Sequence, residues 1–305
     1  GQGWAAQAAT PEYYQQQWGE IPPGVLSSTV PGVISALLAM QANYGTMRFS
    51  QVVESALTFA SNGFPAYQLL CRAIATTERT ANIQKYPESA AVYLPGGKPP
   101  VLGSMFVQKD LGRTLSLMAQ AEQQALAQGS NRETAIAAAR NAFYKGDVAR
   151  RMVAALSDLG ALYTYDDFAE FESPSEEPIS ATYREYEIFT NRTWTQGISL
   201  LQALKILEGY DLASMGHNSP QAIHLQVEAL KLAFADRERY AGDPAFVDVP
   251  VDGLLSSEYA ALRRSLIDPA KAQATYPPGD PRGMHAVASG HQAKESAAMA
   301  GAAGG

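Results

Sequence analysis

Apolar residues recur at helical spacing along most of the chain. Within Ser50–Ala60, Val52, Val53, Ala56, Leu57 and Ala60 fall on one face. Ser50 is placed to cap that helix, and Gly63 to end it in a left-handed turn. Pro65 suits the first turn of a following helix through Leu70 and Ile74. Asp110 precedes Leu111, Leu115, Met118 and Leu126, and Ser130–Glu133 reads as a capping box ahead of Ile136, Ala139 and Phe143. Asp147 starts a helix with Val148, Met152, Leu156 and Leu159, which Gly160 stops, and Thr164–Asp167 reads as another start. Ser219-Pro220 opens a longer helix with Ile223, Val227, Leu230 and Phe234 on one side. Strand signals are sparse. Ala91–Leu94 is short and runs into Pro95-Gly-Gly, while Thr182–Phe189 alternates well enough for a strand. Either the fold is nearly all helical, or strands elsewhere complete it.

The pattern fades after Asp268. Residues 270–305 are rich in Pro, Gly, Ala and Ser with few large apolar side chains, so the division expected is a helix-rich domain over 1–269 and a flexible tail over 270–305. Composition narrows the class. Hydrophobic residues make up 46% and charged residues 17%, which describes a globular chain. Lys and Arg number 23 against 30 Asp and Glu, and the net charge of −7 argues against a nucleic-acid-binding surface. The single cysteine, Cys71, has no internal partner for a disulfide. No apolar run approaches the ~20 residues of a membrane span. The opening Gly1-Gln-Gly-Trp4 carries no initiator Met, basic region or apolar signal core. It reads as a processed product, an expressed segment or a fragment, which leaves the compartment open between cytoplasm and periplasm.

Familiar site motifs are missing: no phosphate-binding glycine loop, no HExxH, no CxxC pair and no GxSxG. His224 and Glu228 are spaced to meet on one helix, with Asp236 and Arg237 two to three turns on; with one histidine well placed, this reads as a structural polar network before a metal site. The four histidines are His217, His224, His285 and His291, and the last two fall in the weak tail. Asp166 and Asp167 could be paired acids, but a helix start explains them. Trp194-Thr-Gln-Gly197 joins the best strand to the next helix, where turns often line sites.

The order of segments is more specific than any one of them. Thr29-Val-Pro-Gly-Val33 is followed by Asn43–Arg48, Val53–Leu57 and Ala60–Pro65. Gly103–Leu115, Ala142–Asp147, Tyr165–Phe168 and Leu200–Glu208 come next, then Glu228–Arg237 and Gly242-Asp-Pro244. This series resembles the large subunit of the gamma-glutamyltransferase family from residue 1 to about residue 268. The resemblance implies an α+β fold: the helix-rich large-subunit part of a four-layer αββα N-terminal-nucleophile hydrolase, its strands completed by a partner chain.

It also implies a chemistry that this chain does not complete. Family members are made as one precursor that cuts itself before a Thr, whose hydroxyl then attacks an amide carbonyl with its own amine as base. The resemblance therefore implies a partner, a small subunit beginning with Thr, and a small-molecule amide substrate, with no catalytic residue here, no metal and no cofactor. Gly305 falls at the cleavage-site end. Glutamyl-specific members carry an Arg-Glu-x-Ala-Pro segment whose Arg grips the substrate carboxylate. The matching stretch here is Gln2-Gly-Trp-Ala-Ala6, so Gln2 and Trp4 are the expected substrate-binding residues, and a neutral amide stands where the Arg would be. The family's Ser-Ser-Gly-Gly turn is replaced by Asn191–Gly197, a form closer to the acylase and amidohydrolase branch. A non-glutamyl acyl group is expected. A true glutathione-processing transferase with its clamp supplied elsewhere, for example by Arg192, is the alternative, and a non-enzymatic helix-rich interaction protein is the second.

Overall fold

Side-chain caps written into the sequence set many of the element boundaries. Thr10, Thr76, Asn131, Thr164, Ser219 and Ser256 each accept a backbone N–H from the first turn that follows. The computed structural model describes residues 3–288 and divides into two units, Gly1–Pro174 and Ser175–Gly305.

The first unit runs α1 (Pro11–Gln17), α2 (Val33–Tyr44), α3 (Phe49–Asn62), β1 (Phe64–Pro65), α4 (Gln68–Ile74), α5 (Thr77–Gln84), α6 (Pro87–Tyr93), β2 (Met105–Phe106), α7 (Lys109–Ala127), α8 (Arg132–Tyr144), α9 (Asp147–Asp158) and α10 (Tyr165–Ala169). Helix α7 lies at its centre, packed by α3 and α8. Phe49 and Val53 from α3, Leu115 and Met118 from α7, and Ile136, Ala139 and Phe143 from α8 share one core. Full burial of side chains such as Met118 and Ile136 contributes about 1.5–3 kcal/mol each. Helix α3 begins at Phe49, one residue before the Ser50 cap read from the sequence. Its free N–H groups are met from another helix: the buried Glu122 carboxylate accepts from Phe49 at 2.6 Å and from Ser50 at 2.7 Å. Pro65 pairs in β1 with Met105 of β2 and does not open a helix, and Ala91–Leu94 belongs to α6 and its cap, where Pro87 sits in the first turn.

The second unit contains β3 (Ile179–Tyr183), β4 (Tyr186–Thr190), α11 (Gly197–Leu207), α12 (Pro220–Tyr240), α13 (Val251–Leu255) and α14 (Ser257–Arg264). The alternating stretch read as one strand is a hairpin, with Ile179 opposite Thr190 and Tyr183 opposite Tyr186. Arg184 in its turn has φ of +56°, a conformation costly for a side chain of this kind. Glu208, at the end of α11, receives the Arg184 N–H at 2.7 Å and the Lys205 ammonium at 2.6 Å, which ties the turn to the helix.

Helix α12 is apolar on two sides. Ala222, Leu225, Ala229, Leu232 and Ala233 are buried within the unit. Ile223, Val227, Leu230 and Phe234, the row read from the sequence, are 48%, 43%, 40% and 39% exposed. Residues 273–288 are gripped by side chains of α12 and α14, so the Pro- and Gly-rich composition here marks an irregular segment pinned by hydrogen bonds. The remainder of the expected tail lies outside the described residues.

Candidate functional site

Gly3 and Trp4 run against Thr29-Val30. The Trp4 carbonyl accepts the Val30 N–H at 2.8 Å, and a Cβ on Gly3 would fall 1.4 Å from the Val30 oxygen, so the approach requires glycine. Half of the Trp4 side chain is open to solvent, and its ring meets Phe171 edge-on at 5.4 Å. Phe171 is fixed in turn. Its carbonyl accepts from Arg140, whose guanidinium also donates to Ser35 Oγ at 3.1 Å and lies 4.9 Å from the Tyr144 ring centre. The Tyr144 hydroxyl donates to the Pro31 carbonyl and accepts from the Ser35 N–H, and burial pushes its pKa up.

The next residues are held by Asp167. Its Oδ1 accepts the Gln7 N–H at 2.8 Å, and its Oδ2 accepts the Thr164 N–H and hydroxyl at 2.7 and 2.8 Å. The Asp166-Asp167 pair is thus occupied by a capping box and by the N-terminal segment, with no paired-acid geometry. Of the two expected substrate-binding residues, Trp4 is placed on this surface, whereas Gln2 lies outside the described residues, as does Gly305.

In the second unit Arg192 borders a cavity of about 450 Å³ with Thr193, Pro244, Phe246 and Asp248. It makes no ion pair among the described residues. Thr193 donates to the Gly242 carbonyl at 2.8 Å, and Trp194 Nε1 donates to Glu176 at 2.7 Å, so the turn is fixed at Thr193 and at its aromatic residue.

The charged groups of α12 turn inward. His224 and Glu228 do not meet: His224 Nε2 bonds the Asp268 carbonyl at 2.8 Å, while Glu228 takes Lys231 at 2.7 Å and the Tyr276 hydroxyl at 2.6 Å. Asp236 lies 3.2 Å from Arg263, with both side chains fully buried, and also accepts from Gln202, Tyr259 and the Gly279 N–H. His217 bonds Asn218, His285 pairs through its backbone with Asp280, and His291 lies outside the described residues. Among the described residues no group of three or more His, Cys, Asp or Glu side chains is gathered as a metal would need, and no helix is long and apolar enough to cross a membrane. Arg140, Glu122 and Arg263 were not singled out by sequence reasoning. Their partners, most of them backbone groups, are distant in the chain and leave no local motif.

These groups can hold segments in place and present an aromatic face and a cation. They do not form a nucleophile with an adjacent base. The model of the gamma-glutamyltranspeptidase family matches residues 1–300. The glutathione hydrolase-like YwrD proenzyme of Bacillus subtilis is 36% identical over 232 residues, 76% of this chain and 41% of its own length. An acylase ACY 1 proenzyme from a Pseudomonas species is 36% identical over 251 residues, 82% of this chain and 42% of its own. The chain thus spans about two fifths of the curated relatives it matches. The crystal structure of Helicobacter pylori gamma-glutamyltranspeptidase superposes with a TM-score of 0.80 at 28% identity, covering 95% of this chain and 79% of that one. Cephalosporin acylase from Bacillus halodurans gives a TM-score of 0.80 at 27% identity, covering 92% and 50%. The helix-rich α+β fold with few strands matches these structures.

Proposed function

We propose, on the premise that this chain belongs to the gamma-glutamyltranspeptidase family, that it is the large subunit of a self-cleaving amidohydrolase or acylase. The catalytic Thr begins a separate small subunit. The Thr hydroxyl adds to an amide carbonyl while its amine takes the proton. The C–N bond breaks, the amine product leaves with a proton, and an acyl ester stays on the Thr. Water, or an amine acceptor, then releases the acyl group and restores the hydroxyl.

The observation that carries this reading is the family match along the chain together with its likeness to relatives named as proenzymes. The exposed row on α12 supports a second half: an apolar helix face that nothing among the described residues covers suits a sheet supplied by a partner. Within the pair, this chain contributes substrate contacts from Gln2 and Trp4. With Gln at position 2, a neutral or differently placed polar acyl end is preferred over gamma-glutamyl.

The test is to produce this chain with its Thr-initiated partner and compare turnover of a gamma-glutamyl anilide with that of simple acyl amides. Preference for the amides is expected. Replacing Gln2 by Arg should shift the ratio toward gamma-glutamyl by roughly tenfold, the worth of one charged hydrogen bond. An unchanged ratio removes Gln2 from the specificity argument. A second reading, a true glutathione hydrolase, is favoured by one observation, Arg192 beside its cavity with no ion pair among the described residues. It requires Arg192→Gln to abolish gamma-glutamyl turnover.

A further inference from the structure

Residues 273–288 form almost no regular structure, yet their peptide groups are held one after another by side chains of two helices. From α12, Glu228 accepts the Gln273 N–H at 3.2 Å and the Tyr276 hydroxyl at 2.6 Å, and Lys231 donates to the Gln273 carbonyl at 2.6 Å. Further along α12, Asp236 accepts the Gly279 N–H at 2.8 Å and the Tyr240 hydroxyl donates to the Gly279 carbonyl at 2.7 Å. From α14, Arg263 donates to the carbonyls of Pro277 at 3.0 Å and Ala286 at 2.6 Å. The Gly279 backbone lies so close to Tyr259 that a Cβ would meet its hydroxyl at 2.1 Å. Past it, Asp280 and His285 exchange backbone hydrogen bonds of 2.9 and 3.0 Å and close a turn.

Burying charges to hold a strap is an expensive way to gain stability, because apolar packing serves as well without the desolvation cost. What the charged and hydroxyl groups add is direction: each fixes one peptide group at one place. We propose that α12 and α14 act as a clamp on residues 273–288 that positions the chain for precursor cleavage, with Arg263, Asp236, Glu228 and Tyr276 as positioning residues. The inference rests on the reading that this chain is cut from a precursor. In that step the Thr hydroxyl adds to the carbonyl of the residue before it, the C–N bond breaks to free the Thr amine, and water hydrolyses the ester to a carboxylate and the hydroxyl. The step needs carbonyl and hydroxyl held within bonding reach, so it is sensitive to the path of the chain that leads into the cut. Turnover by the cleaved enzyme, which uses the Thr and a free substrate, does not depend on that path.

The experiment uses the full-length precursor, comparing wild type with Tyr276→Phe and Gly279→Ala, and with Ile136→Val as a control for lost stability in the core of the other unit. Appearance of the two chains is followed by intact mass, alongside the thermal midpoint and the kcat and KM of the cleaved fraction. The clamp variants should cleave roughly tenfold or more slowly, with kcat and KM per cleaved molecule unchanged, while the control cleaves at the wild-type rate. Clamp variants that cleave at the wild-type rate, or that slow only in proportion to lost thermal midpoint as the control does, overturn the proposal. A wild-type precursor that stays a single chain overturns the processing reading itself, and the clamp's role with it.

Discussion

Glu122 of α7 accepts the backbone N–H of Phe49, the first residue of α3, at 2.6 Å across 73 positions of sequence. Its second oxygen takes Ser50, so one carboxylate from the central helix serves as the cap of its neighbour. Glu122→Gln leaves the shape intact but turns one acceptor into a donor facing an N–H. A loss of about 1–3 kcal/mol is expected, measured as a shift of the urea midpoint. Glu122→Asp, too short to reach both groups, should lose a comparable amount.

The buried pair in the second unit invites a double-mutant cycle. Asp236→Asn or Arg263→Met alone strands the other charge, at a cost of about 3–5 kcal/mol. Asp236→Asn with Arg263→Met together should cost clearly less than the sum of the two. Additive losses in chemical denaturation would mean that the two groups contribute independently.

Glu228 makes the stability of the second unit depend on acid. Burial raises its carboxyl, but Lys231, the Tyr276 hydroxyl and the Gln273 N–H outweigh that and leave it below its ordinary 4.5. The unfolded chain therefore takes up a proton at a pH where the folded chain does not. The resulting stability is present above the ordinary value and is lost as pH falls through the lower folded one. Urea midpoints recorded from neutral pH into this acid range should fall for wild type and fall less steeply for Glu228→Gln.

Trp4 is argued from a surface position, so its two roles separate. Losing its edge contact with Phe171 should cost about 0.5–1.5 kcal/mol, while on the proposed reading Trp4→Ala raises KM for the amide substrate with little change in kcat. Trp4→Phe keeps the contact and should restore most of both. Steady-state kinetics on the two-chain enzyme check this.

Much of the fold was legible where a residue acts on its own neighbourhood. Thr164 with Asp167, and Ser219 with Pro220, announce helix starts because the capping oxygen and the N–H groups it takes lie within one turn. Gly63 closes α3 for a similarly local reason. Ala91–Leu94 misled because a short apolar run fits either period, and the Pro87 start decided it. The row Ile223, Val227, Leu230 and Phe234 was correctly read as a helical face, but periodicity could not choose between two apolar faces of one helix. The site was less legible still. Arg263, Arg140 and Asp167 grip carbonyls and amides from far along the chain, and a peptide group has no sequence signature.

The outward row of α12 can be probed directly. Val227→Lys places a charge where the proposed partner sheet would lie, while the side chain has open space in this chain alone. Assembly with the small subunit should fail, read as loss of the two-chain species on size-exclusion chromatography. Gln221→Lys, exposed near the start of the helix on a different side from the row, should assemble normally.

A helix with two apolar faces also sets a timetable. While only one face is covered, the other is as ready to stick to a second copy of the same chain as to its proper cover, and an uncovered patch of this kind is a route to precipitation. Release of the two pieces from the ribosome as separate polypeptides would make this a race decided by their concentrations. Synthesis as one precursor makes the proper cover a neighbour at an effective concentration on the order of millimolar, before any other copy arrives. On the proposed reading the cut comes last because α12 cannot safely wait for its cover.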